Sequence, residues 1–116
     1  MIALRDNSPA VVGPGIYPML YAFFDDRGVL RQDPFRLQVD VALGTQAAGV
    51  AILGLGTEVS KLTFDERIDV LEVVAKRIDG RKPLLATVYG DTITEQIEFS
   101  KQAIQSGSSA LILQPP

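Results

Sequence analysis

Gly49 to Glu66 reads GVAILGLGTEVSKLTFDE: a strand, a glycine-rich turn and a helix start joined with almost no slack. Val50, Ala51, Ile52 and Leu53 form a continuous apolar run too short for a helix and bounded by Gly49 and Gly54, which suits a parallel strand buried on both faces. Gly54 and Gly56 free the backbone for tight, including left-handed, geometry. Thr63 and Glu66 have the spacing of a capping box, and Asp65 and Glu66 complement the positive end of the helix dipole. In α/β proteins the loops that leave the C-terminal ends of parallel strands carry the chemistry, so this turn is the first place to look for a site.

Upstream, residues 1–15 hold Asn7, Ser8, Pro9, Gly13, Pro14 and Gly15 and predict an irregular arm. Residues 16–24, IYPMLYAFF, predict a first strand with Pro18 confined to its beginning, followed by a turn at Asp25-Asp26-Arg27-Gly28. Asp33 reads as an N-cap with Pro34 at the first helical position, opening a helix to about Leu43 that buries Phe35, Val39, Ala42 and Leu43 and stops at Gly44. Downstream of Thr63, apolar residues recur at Phe64, Ile68, Leu71, Val74 and Ile78 before Gly80, the stripe of a core-facing helix. Pro83 to Val88 predicts a third strand with Tyr89-Gly90-Asp91 as its exit loop. Thr92 and Glu95 form a second capping box for a helix to about Gln105, Gly107 ends it, and Ser109 to Leu113 predicts a fourth strand running into Gln114-Pro115-Pro116.

The pattern is β-α-β-α-β-α-β with a repeat of about 30 residues, the size of a βα unit. Right-handed crossovers then place the strands side by side and parallel. Two architectures fit: a small open four-stranded α/β sheet, or the first half of a TIM-type (β/α)8 barrel. The apolar outer strands, MLYAFF and LILQ, favour the barrel, because such edges left bare invite association. On this reading residues 1–15 are an arm and residues 16–116 cover about the first four βα units.

Composition narrows the function. The chain has 116 residues, 47% of them hydrophobic, with 11 Lys and Arg against 14 Asp and Glu and no clustered basic run, which argues against a nucleic-acid partner. It has no cysteine and no histidine, removing thiolate and imidazole ligands and the commonest acid–base group, so no metal site is expected. Carboxylates, hydroxyls, lysines and the backbone remain. No apolar run approaches the roughly 20 residues that span a bilayer, and the N-terminus lacks a signal-peptide pattern; a cytoplasmic protein without a membrane partner is expected.

The order IYPMLYAFFDDRG, GVAILGLGTEVSKLTFDER, DGRKPLLATVYGDTITEQI and SGSSALILQPP resembles the N-terminal half of the dihydrodipicolinate synthase / N-acetylneuraminate lyase family from Gly15 onward. The resemblance implies a (β/α) barrel, usually a homo-oligomer and commonly a tetramer. It also implies a class I aldolase in which a lysine forms a Schiff base with pyruvate or a related 2-oxo acid, with no cofactor. The family's second-strand loop, Gly-Thr-Thr-Gly-Glu, holds the oxo-acid carboxylate; Gly54 and Glu58 match it, while Leu55 and Gly56 stand in place of the threonines and Thr57 is shifted by one. The side-chain half of that clamp is therefore missing, and Thr57 or the amides around Gly56 are left to bind the anion. The family's Thr-Pro of the first strand is Ala22-Phe23 here, and its Gly-x-Asn-x-Thr is nearer to Tyr89-Gly90-Asp91-Thr92-Ile93. These changes favour a lyase of another specificity over the synthase itself. The implied substrate-binding set is Gly54, Leu55, Gly56, Thr57, Glu58 and Tyr89.

The resemblance places the Schiff-base lysine and its partner tyrosines beyond Pro116, so no catalytic residue is expected within the chain, which alone is expected to be inactive. Lys61, Lys76, Lys82 and Lys101 fall in loops, on helices or before a strand, and each reads as solvated surface rather than as a desolvated nucleophile. Glu58 reads as either a turn-fixing or a reacting carboxylate, and Tyr89 as a pocket-lining or a packing aromatic. Gly54 and Gly56 lack the third glycine and distant acid of a dinucleotide site. A phosphate-binding loop is the weaker barrel alternative. The non-enzymatic alternative is a half-barrel that serves as a binding or assembly module through its open edges.

Overall fold

The computed structural model describes residues 9–114. The expectations for residues 1–8 and for the terminal Pro115-Pro116 pair lie outside the described residues. Three strands, β1 (Val50–Ile52), β2 (Leu84–Val88) and β3 (Ala110–Leu113), make a parallel sheet in the order β1-β2-β3. Val50 stands opposite Leu84, and Leu85 opposite Ala110. Helices α1 (Asp33–Leu43), α2 (Phe64–Ile78) and α3 (Ile93–Gln105) alternate with them. Val50, Ile52, Leu84, Ala86 and Val88 join Phe35, Leu71, Val74 and Phe99 in one core between the sheet and the helices. Ala51, Leu85, Thr87, Ala110 and Ile112, one residue out of step, therefore face the side without helices.

Helix starts follow the expected chemistry at α2, where Thr63 Oγ1 accepts from the Glu66 amide and the Glu66 carboxylate accepts from the Thr63 amide. At α3 only half of the box forms. Thr92 caps Glu95, but the Glu95 carboxylate accepts from the Asp91 amide and also engages Arg67. At α1 the N-cap position is Gln32, and Asp33 sits in the first turn with its carboxylate paired to Arg36. Asp33 is thus an N-terminal charge rather than a cap.

The predicted first strand at residues 16–24 is largely absent as regular structure. Its centre does lie parallel to β1, through Ala51 N–H to Pro18 O (2.9 Å) and Leu20 N–H to Ala51 O (3.0 Å). Pro18 has no N–H to extend a ladder. Beyond Leu20, the Gln38 side-chain amide takes both Tyr21 backbone groups, its Oε1 accepting at 2.8 Å and its Nε2 donating at 2.9 Å. The Tyr21 backbone faces away from β1, so this side chain of α1 occupies the outer edge of the segment, while on the β1 side the bridge at Met19 is not extended because the Thr57 hydroxyl takes the Leu20 carbonyl.

Lys82 also departs from the solvated role expected of it. Its ammonium donates to the carbonyls of Ala42 (3.0 Å), Thr45 (3.0 Å) and Ala47 (2.7 Å), using all three donors on the α1–β1 connection. Between α1 and α2, Arg77 grips both Asp40 carboxylate oxygens, and this hydrogen bonding holds the Asp40 carboxyl below its usual range. A depressed carboxyl contributes stability that is fully present above its unfolded pKa and lost as pH falls through the folded value. Asp40→Asn is accordingly expected to flatten the acid limb of a melting-temperature profile against pH; an unchanged acid limb would remove the pair from the stability account.

Candidate functional site

The loop after β1 begins where Leu53 turns left-handed at φ 66°, so the ladder stops at Ile52. Thr57 then folds back under the loop and is fully buried. Its hydroxyl accepts the Leu53 N–H at 3.0 Å and donates a short hydrogen bond to Leu20 O. One hydroxyl thus occupies the place of the next backbone rung between β1 and the 16–24 segment. Both its hydrogen-bonding directions are used.

The neighbouring residues point elsewhere. Leu55, at the loop tip, is 86% exposed, and Glu58, left-handed at φ 56°, turns its carboxylate to Lys61 at 3.0 Å on the surface. Gly54 is buried, and its N–H donates to the Met19 sulfur at 3.2 Å. A Cβ on Gly54 would collide with Met19 Cε, and one on Gly56 would press the Met19 stem at 3.1 Å. The two glycines leave room for the Met19 side chain, which lies directly over the loop. Among the six residues expected in the site, the structure brings Gly54 and Gly56 together around Met19, sends Leu55 and Glu58 outward, and engages Thr57 in the scaffold.

Tyr89 leaves β2 at the same end of the sheet, but its ring stacks on the guanidinium of Arg67, 5.2 Å from the ring centroid, with Phe64 at 5.7 Å on the same group. Arg67 also donates to Leu62 O at 3.1 Å and to Glu95 at 3.2 Å, with its side chain 5% exposed. This arginine ties the starts of α2 and α3 to the end of β2. Sequence reasoning passed over it, although the spacing Phe64, Arg67, Leu71, Val74, Ile78 is itself a core-facing series. Thr87 was also passed over. It lies on the open face, 1% exposed, beside Gly54, and its hydroxyl has no hydrogen-bond partner among the described residues.

Parallel βα units with a glycine loop at the C-terminal strand ends define a fragment of an α/β scaffold of the kind that carries its sites on such loops. The chain belongs to the dihydrodipicolinate synthetase family, whose family model matches residues 13–116. It is 30% identical over 89 residues to the 4-hydroxy-tetrahydrodipicolinate synthase of Pelobacter propionicus, covering 77% of this chain and 31% of that one. Against the synthase of Methanothrix thermoacetophila it is 30% identical over 102 residues, covering 88% and 34%. The chain therefore spans about a third of the length of these relatives.

Among solved structures, dihydrodipicolinate synthase from Rhodopseudomonas palustris superposes with a TM-score of 0.85 at 19% identity, covering 94% of this chain and 36% of that one. N-acetylneuraminate lyase from Mycoplasma synoviae superposes at 0.80 with 25% identity, covering 85% and 35%. These neighbours are TIM-barrel enzymes. The lineage is one of aldolase-type lyases that process small molecules. Among the described residues no helix is long and apolar enough to cross a membrane, and no cluster of three or more His, Cys, Asp or Glu could hold a metal ion.

Proposed function

We propose that residues 16–116 are about the first four βα units of a (β/α)8 lyase that acts on pyruvate or a related 2-oxo acid, preceded by an arm at residues 1–15 and with the Schiff-base lysine supplied by sequence outside the chain. The observation that carries this reading, beside family membership, is where the unpartnered apolar surface lies. The central helix α2 has no large hydrophobic residue among the strongly exposed ones, whereas the outer helices do: Leu37 and Val41 on α1, and Ile93, Ile97 and Ile104 along one face of α3. Among the helices of the described residues the unpartnered apolar faces are those of the two flanking ones, as they are in a barrel cut at both ends. None of the four lysines sits on a strand: Lys61 pairs with Glu58, Lys82 caps α1, and Lys76 and Lys101 are exposed on helices. The loop from Gly54 to Glu58, with Tyr89 behind it, borders the substrate site in this reading, and the assembly is a cytoplasmic homo-oligomer.

The test is reductive trapping. Borohydride with pyruvate is expected to add one reduced adduct to a longer chain that carries the later βα units and to leave the mass of the 116-residue chain unchanged. An adduct on the short chain would overturn the placement of the lysine, and its absence from the longer one would overturn the lyase reading.

A further inference from the structure

We propose that Met19 is an oxidation site: its thioether takes an oxygen atom from hydrogen peroxide, and the resulting sulfoxide is held by the Thr87 hydroxyl and the Gly54 amide. The chain has no cysteine, so Met1 and Met19 carry all of its sulfur. Met19 is half-buried, within reach of a small oxidant, and its side chain lies across the loop after β1 with the sulfur accepting the Gly54 N–H at 3.2 Å. In the reaction the sulfur attacks one peroxide oxygen, and the O–O bond breaks as the S–O bond forms. The leaving hydroxide takes the proton of the transferred oxygen and departs as water, so sulfur is oxidised by two electrons and the peroxide is reduced.

What singles Met19 out is the unbonded donor beside it. Thr87 is 1% exposed and its hydroxyl has no partner among the described residues. A buried hydroxyl left unbonded is costly, and native structures rarely keep one without a use. A point one bond out from the Gly54 Cα lies 3.6 Å from Thr87 Oγ1 and 3.1 Å from the Met19 sulfur, so the hydroxyl and the sulfur flank one position. A thioether is a weak acceptor and leaves that hydroxyl unbonded; a sulfoxide carries a polar oxygen one bond further out, where both donors can share it. Methionine oxidation in a core ordinarily strands a polar group among apolar neighbours and disrupts the packing. Here it supplies the acceptor that Thr87 lacks. The 16–24 segment, the exit of β1 and β2 are then tied through one oxygen, where the reduced side chain is only a flexible cover.

The experiment treats the full-length protein with hydrogen peroxide, maps the added oxygen by mass and compares melting temperatures before and after treatment. Trypsin cuts after Arg5 and Arg27, so the peptide of residues 6–27 holds Met19 apart from Met1. Each shift is read against Met19→Leu under the same peroxide, which subtracts the effect of any other methionine. Wild type is expected to carry the oxygen on the 6–27 peptide and to melt at the same or a higher temperature once oxidised. Unoxidised Thr87→Val is expected to melt level with or above unoxidised wild type, because it loses an unbonded hydroxyl, and to fall by several degrees on oxidation, because the sulfoxide then has lost a donor. A methionine sulfoxide reductase should reverse both shifts. No oxygen on the 6–27 peptide, or equal shifts in oxidised wild type and oxidised Thr87→Val, overturns the site.

Discussion

Thr57→Val is expected to lower the unfolding free energy by about 2–6 kcal/mol, because it strands two buried backbone groups that each cost about 1–3 kcal/mol when unpaired. Those groups are the Leu53 N–H and the Leu20 carbonyl, joined through the Thr57 hydroxyl in place of a strand rung. Valine keeps the shape and removes the donor and acceptor together. Urea unfolding should show the midpoint falling with an unchanged slope, and Thr57→Ser should recover most of the loss. A midpoint within experimental error of wild type would mean that the rung contributes nothing. Thr57 and Thr87 are both buried threonines near the same loop, yet the same substitution is expected to act in opposite directions on stability, since one hydroxyl is saturated and the other is not.

Arg67→Leu is expected to cost about 3 kcal/mol, the low end for breaking a buried ion pair, since Glu95 keeps a third of its side chain in water and can resolvate. The substitution also frees the Leu62 carbonyl and removes the cation stacked on Tyr89. Lysine should not rescue it, because a single ammonium cannot fork to Leu62 and Glu95 while lying flat on an aromatic ring. Thermal unfolding together with the near-ultraviolet signal of the tyrosines is the measurement; a Lys variant indistinguishable from wild type would reduce Arg67 to a point charge.

The parts of the fold that were legible in the sequence are those decided locally. The strand at residues 50–53, the Thr63–Glu66 box and the ends of α2 and α3 depend on residues within a few positions of one another, and they stand within a residue of where periodicity and capping put them. The first strand was misread because the rung that would extend it is taken by the Thr57 hydroxyl, which reaches the Leu20 carbonyl from 37 residues away. Lys82 was misread for the same reason, since its three acceptors lie 35 to 40 residues upstream. At the candidate site, the glycine turn could be read as a turn, but hydroxyl occupancy could not: the sequence shows Thr57 and Thr87 as equivalent threonines, and only their distant neighbours make one a structural tie and the other an open donor. Arg67 was hidden by its charge, which reads as surface at a spacing that otherwise means core.

The ammonium of Lys82 couples the first helix to a strand much later in the chain. Helix α1 has no basic residue in its last turn, so nothing within it answers the negative end of its dipole. The cation that does so belongs to a residue 40 positions later, immediately before β2. The end of α1 is therefore tied to the entry of β2, so that loss of the Lys82 ammonium would loosen two neighbouring units at once.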